Sequence, residues 1–210
     1  MSGLRERKKE RTRRAISEAA IALFLEHGFD QVSVADVAAA AEVSKPTLFS
    51  YFPSKEDLVV HRFADHQDQA ADVVRGRGAD ELALDALRRD FLDGLARRDP
   101  VTGLNDHPQV LAFTGLVYGT PSLAARVGAY TARAEQSLAD ALREDPDLAP
   151  PHELTAPLLA AQVTATQRVL ALRTWHRIHH DGRTADELHP EAVAAADRAF
   201  DLLTRGYAGA

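Results

Sequence analysis

VSVADVAAAAEVSKPTLFSYFPSKEDL, residues 32–58, is the stretch whose reading decides the fold. Ser33 is an N-cap residue, and Asp36 three positions on completes a capping box ahead of Val34, Val37, Ala38 and Ala41, which recur at helical spacing. Ser44 repeats the device for a short helix from Lys45 to Tyr51, with Pro46 in the first turn, where a missing N–H costs little. Only Glu42, Val43 and Ser44 separate the two. Leu48 and Phe52 are the inner positions of the second helix; Lys45, Pro46, Phe49 and Ser50 point outward, with Thr47 and Tyr51 at the flanks. A short capped helix with a sharp exit at Pro53-Ser54 is a poor core element, but it suits a major groove about 12 Å wide. Lysine reaches base acceptors or phosphate, and proline or phenylalanine touches a thymine methyl. The hydroxyls of Ser33, Thr47 and Tyr51, and the amides at the helix starts capped by Ser33 and Ser44, suit phosphate oxygens.

Upstream, Ile16, Ala19, Ala20, Leu23 and Phe24 predict a helix from Glu10 to His27, stopped by Gly28, with Phe29 packing back on it. Downstream, Ser54 caps a fourth helix predicted from Lys55 to about Val74. Lys55 then lies in a first turn, where a cation opposes the helix dipole unless a phosphate joins it. Arg75-Gly76-Arg77-Gly78 lacks the strand context and lysine of a phosphate loop and is a connector. Further helices follow over about Asp80–Arg98, Gln109–Val117, Pro121–Glu144, Glu153–His180 and Pro190–Tyr207. The expectation is an all-α protein of about nine helices. Residues 1–54 would form a DNA-binding domain with a basic N-terminal arm, and residues 55–210 a second, helical domain.

Composition agrees. Among 210 residues, 45% are apolar and 27% charged, which is globular rather than disordered, and 6% aromatics argue against a β-sandwich. No cysteine is present, which excludes disulfides, thiolate metal sites and a cysteine nucleophile. No apolar run approaches the roughly 20 residues of a membrane span, and the basic N-terminus lacks the apolar stretch of a secretory signal. A cytoplasmic protein is expected. Net charge is −6, yet residues 1–14 carry seven cations (Arg5, Arg7, Lys8, Lys9, Arg11, Arg13, Arg14) against Glu6 and Glu10. A basic arm on an acidic body is suited to local phosphate contact; its other reading is a solvated tail.

At residues 10–62 the chain resembles the TetR family of bacterial transcriptional regulators, through residues 32–58 and the preceding Ala-Leu-Phe-Leu-Glu-His-Gly-Phe29. The resemblance implies a helix-turn-helix at residues 33–52, a dimer, and a divergent helical C-terminal domain that binds a small effector. It also implies phosphate contacts at Ser33, Thr47, Tyr51 and Lys55, and base contacts near Lys45, Pro46 and Ser50. Two residues depart from the pattern. Glu42 stands where a turn glycine is usual, at a cost of roughly 1–2 kcal/mol if the position is left-handed. Phe49 replaces a frequent tyrosine, which keeps the ring and removes a hydroxyl.

Beyond about residue 75 the signals are chemical only. Phe91, Leu95, Phe113, Tyr118, Tyr130 and Trp175, with Gln162 and Thr166 as polar contacts, are the candidate lining of an effector pocket; plain core packing is the alternative for each. Such a lining fits a neutral or weakly polar organic molecule. His176 and His180 lie one turn apart beside His179, but polar or cationic groups are favourable at a helix C-terminus in any case, and no metal or cofactor is expected. No G-x-S-x-G, H-E-x-x-H or P-loop is present, so a helical enzyme is disfavoured. The expected function is a dimeric repressor released from a palindromic operator by a small organic effector; a helical protein–protein adaptor is the alternative class.

Overall fold

The computed structural model describes residues 2–148 and 152–208. Ten α-helices and no strand occur among them: α1 (Ser2–His27), α2 (Val34–Ala40), α3 (Lys45–Tyr51), α4 (Asp57–Val60), α5 (Gln69–Arg75), α6 (Ala83–Ala96), α7 (Pro108–Gly119), α8 (Pro121–Arg143), α9 (His152–Asp181) and α10 (Ala185–Ala208). Short 3-10 segments cover His61–His66 and Pro100–Thr102. No single described helix is long and apolar enough to cross a membrane. Pro150 and Pro151, expected to help stop α8, lie outside the described residues.

The chain forms two compact units, Met1–Ala64 with Ala112–Ala129, and Asp65–Leu111 with Tyr130–Ala210. This division differs from the expected boundary at residues 54/55. It falls later in the chain, and it adds the end of α7 and the start of α8 to the first unit.

The first unit is built on α1, whose Ile16, Ala20 and Phe24 are fully or almost fully buried. Gly28 ends the helix at φ 87°, its N–H donating to the Phe24 carbonyl, and Phe29 turns back to lie 4.9 Å from the Phe24 ring. Val37, Ala38, Leu48, Phe52 and Leu58 complete the core from α2, α3 and α4. Ser17, buried within it, donates to the Leu58 carbonyl. The second unit packs α6, the C-terminal half of α8, α9 and α10 around Leu87, Phe91, Leu138, Leu142, Val163 and Phe200. Gly103 is required here: at φ 73° it lies so close to α9 that an added Cβ would fall 2.0 Å from the Ala171 carbonyl oxygen.

Three predicted boundaries move. The predicted continuous helix from Lys55 to Val74 is instead α4, a 3-10 segment and α5. Asp57, Leu58, Val59 and Val60 are all buried, and Phe52 meets His61 edge-on at 5.0 Å, while Asp68 is bonded by Ser137 and Gln69 donates to Asp90. These tertiary ties outweigh a helix propensity worth only tenths of a kcal/mol per residue, about 0.7 at most for ordinary residues. Next, α1 starts at Ser2 rather than Glu10. Its first turns have no apolar period to detect, but arginine, lysine and glutamate are strong helix formers, and Glu10 with Arg14 has the i,i+4 spacing of a favourable pair. Finally, α10 starts at Ala185 rather than Pro190, because Thr184 and Glu187 form a capping box, each side chain bonding the other's backbone N–H.

Candidate nucleic-acid interface

The geometry of α2 and α3 follows from their caps. Ser33 is extended at φ −88°, ψ 159°; its Oγ accepts from the Asp36 N–H (3.2 Å), and the Asp36 carboxylate accepts from the Ser33 N–H (2.8 Å) and Oγ (2.6 Å). The Ser33 hydroxyl and amide hold the Asp36 carboxyl below the usual carboxylate range. At the other end of α2, Glu42 is left-handed at φ 53°. Its N–H donates to the Ala39 carbonyl and the Val43 N–H to the Ala38 carbonyl, the paired bonds of a Schellman closure. The turn keeps its tight geometry although no glycine supplies it.

Ser44 then caps α3, its Oγ accepting from the Thr47 N–H (3.2 Å) and pairing with the Thr47 hydroxyl (2.7 Å). Of the seven residues of α3, Leu48 alone is buried. Lys45, Pro46, Thr47, Phe49 and Ser50 are exposed, Tyr51 is half-buried, and Phe49 leaves 48% of its surface in solvent. A phenylalanine that exposed is wasted as core and available as a contact surface. Ser50 donates to the Thr47 carbonyl, so its hydroxyl is tied to its own helix.

Lys55 departs from its predicted position. It precedes α4, which begins at Asp57, and its Nζ donates to the Phe29 carbonyl while lying 4.4 Å from the Phe29 ring centroid and 5.5 Å from that of Phe24. No first-turn cation therefore opposes the α4 dipole; Lys55 fastens the exit of α3 to the end of α1. On the other side of that exit, Arg13 stacks over Phe52 at 5.5 Å, so one cation of the basic segment is a packing residue. Arg7, Arg11 and Arg14 stay exposed on α1.

One contact has no local sequence signal. Buried Asp57 is held by Arg126 of α8, with Nε at 2.9 Å and the guanidinium terminus at 2.8 Å, and it also accepts from Ser54 (2.8 Å). Ser54 and Asp57 are legible as a cap; Arg126, 69 residues away, is not.

The candidate effector residues divide between the units. Phe113, stacked on Phe63 at 6.3 Å, and Tyr118 belong to the first. Phe91, Leu95, Tyr130, Gln162, Thr166 and Trp175 belong to the second, so the eight do not line one cavity within either unit. Phe91 and Leu95 are buried core residues, Phe91 lying 6.2 Å from Phe200. Gln162 is exposed, Thr166 is half-buried, Tyr130 lies under Arg133 at 5.8 Å, and Trp175 stacks on His179 at 4.9 Å.

Two capped helices, a tight left-handed turn and an outward-facing second helix define the helix-turn-helix class. Residues 16–61 match the profile of the bacterial regulatory proteins, tetR family. That match spans the helix-turn-helix and the helices that flank it, and the likeness to these regulators is shown for this segment of the chain. It is 33% identical over 135 residues to the HTH-type transcriptional regulator TcmR of Streptomyces glaucescens, an alignment that covers 64% of this chain and 58% of that relative's length. Two solved structures share the fold across nearly the whole chain. NalD, described as the secondary repressor of the MexAB-OprM multidrug efflux pump in Pseudomonas aeruginosa, is 19% identical with a TM-score of 0.60, covering 91% of this chain and 97% of NalD. FadR of Bacillus subtilis, solved with stearoyl-CoA, is 18% identical with a TM-score of 0.52, covering 90% and 96%.

Proposed function

We propose that the chain is a dimeric, cytoplasmic repressor that binds a palindromic operator through α3 and is released from it by a small organic effector. The observation that carries this reading is the exposure of α3: a capped helix presents Lys45, Pro46, Phe49 and Ser50 outward on a frame fastened by Leu48, Phe52 and Lys55. Lys45 reaches a guanine edge or a phosphate, and Pro46 and Phe49 offer apolar surface to thymine methyls. Phosphate contacts come from the α2 and α3 N-termini at Ser33 and Ser44, from Thr47 and Tyr51, and from the two Lys55 N–H donors that Phe29 leaves free. The exposed cations of α1 add affinity without sequence preference.

Dimerisation is assigned to α9 and α10. Among their apolar residues, Leu159, Val163, Phe200 and Leu203 are buried in the second unit's own core, while Leu158 and Val169 leave 48% and 58% of their surface exposed. With exposed Leu154 and Ala165 they follow one face of α9 at helical spacing, a face that a second copy would cover. A two-fold dimer requires an operator with two-fold symmetry. A neutral or weakly polar effector fits the apolar candidate lining, and reciprocity demands that it bind the free dimer more tightly than the operator complex.

Selection from a random duplex pool tests this reading. It should return an inverted repeat whose affinity falls steeply with salt. An asymmetric site, or no duplex preference at all, would refute it.

A further inference from the structure

The last turns of α9 carry Trp175, His176, His179 and His180, which neither the helix-turn-helix nor the second unit's core uses. His176 and His180 are exposed and one turn apart, and their ring centroids approach to 4.0 Å with the planes tilted by 35°. The arginines around them are occupied: Arg173 and Arg177 pair with Glu191 of α10, and Arg183 with Glu187. The partners shown for the two imidazoles are rings only, each other and those of Trp175 and His179; among the described residues neither makes a hydrogen bond or ion pair. His179 stacks on Trp175 at 4.9 Å and 11° and meets His180 only edge-on, at 4.8 Å and 84°. Asp181 follows directly, at the end of the helix where the carbonyl dipoles favour a cation.

We propose that His176 and His180 chelate a late first-row divalent cation, of the nickel, copper or zinc class. Neutral imidazole is a ligand for these ions, whereas magnesium and calcium prefer oxygen. At a metal–nitrogen distance of about 2.1 Å and a tetrahedral angle, the two ligating nitrogens stand about 3.4 Å apart. The two ring centroids already stand 4.0 Å apart, and both side chains are exposed, so turning their ring nitrogens onto an ion disturbs no core packing. No group of three or more His, Cys, Asp or Glu side chains among the described residues is placed to hold a metal. The site therefore has two protein ligands, with the remaining positions open to water or to the donor atoms of a second ligand. Copper binds most tightly, with nickel and zinc weaker.

Calorimetric titration of the tag-free, full-length chain with nickel chloride tests the assignment, with magnesium chloride as the hard-ion control. At about pH 7.5, above the ordinary imidazole pKa of about 6.5, one nickel should bind per chain and magnesium none. His176→Ala and His180→Ala should each lower nickel affinity at least as much as losing an outer-shell partner does, about 10–100-fold. His179→Ala should leave the isotherm unchanged, and circular dichroism should show all three variants folded. Absence of saturable nickel binding, unchanged binding in His176→Ala or His180→Ala, or an equal loss in His179→Ala would overturn the site. The DNA-binding reading rests on other residues and survives either result.

Discussion

Replacing Glu42 by glycine isolates the strain stored in the helix-turn-helix. At φ 53° the glutamate holds a left-handed conformation whose cost for a residue with a Cβ is about 1–2 kcal/mol. Glycine removes that cost but loses more freedom on folding, by about 0.5–1 kcal/mol. The net expectation for Glu42→Gly is a gain of about 0.5–1 kcal/mol. At about 2–4 °C per kcal/mol for a chain of this size, Tm should rise by about 1–4 °C. The side chain also carries a charge, so Glu42→Ala is the control: it removes the same charge and keeps the strained backbone. Paired thermal melts of the two variants, followed by circular dichroism at one protein concentration, read the backbone effect as their difference. Both variants should bind operator with the same salt dependence, because their charge is identical. If alanine stabilises as much as glycine, charge rather than backbone governs the site. If neither does, the left-handed turn carries no strain and the reasoning fails.

Lys45→Ala and Tyr51→Ala should each weaken operator binding by about 1–3 kcal/mol with the fold intact, Lys45→Ala also relaxing base preference; wild-type affinity in both would refute the groove-facing assignment of α3. Leu158→Asp combined with Val169→Asp should yield a monomer in sedimentation and abolish tight operator binding, whereas a surviving dimer would place the interface elsewhere. Asp57→Asn removes the carboxylate charge opposite Arg126, which is 41% exposed and stays solvated, so urea unfolding should show a loss of about 1–3 kcal/mol rather than the 3–5 of a wholly buried pair. Adding Arg126→Gln should then cost little more, and full additivity would mean the two side chains are not coupled. The Asp36 carboxyl, depressed chiefly by the Ser33 hydroxyl, contributes stability that is present above the ordinary carboxylate range and lost as pH falls through its lowered pKa. Ser33→Ala should therefore raise the Asp36 titration midpoint seen by NMR toward the ordinary value; an unmoved midpoint would remove the hydroxyl as the cause.

The helix-turn-helix was legible in the residues because every device in it is local. Ser33 with Asp36, Ser44 with Thr47, and Gly28 at the end of α1 each satisfy backbone groups within a few positions, so residue type and spacing carry the information. Leu48 and Phe52 were legible as inner positions for the same reason, since a short helix has one face to bury. The left-handed turn at Glu42 was legible only as a cost, because nothing in a glutamate announces that conformation. Where a boundary was set by a missing apolar period or by a proline, as at the starts of α1 and α10, helix formers and the Thr184–Glu187 box overrode it.

What only the tertiary structure decided involves partners distant in sequence. Lys55 was legible as a cation near a helix start, but its ammonium belongs to the Phe29 carbonyl and ring, 26 residues away. Asp57 found Arg126, and the helix predicted to continue from it breaks under ties from Phe52, Ser137 and Asp90. Among the apolar residues of α9, composition does not separate Val163, which is wholly buried, from Val169, which is exposed. Both are valines on one helix, and the packing of the second unit's core covers one and leaves the other exposed. Local hydrogen-bond satisfaction is a property of neighbouring residues and can be read from them. Which face is covered, and which charge is claimed, depends on surfaces that exist only after the chain has folded.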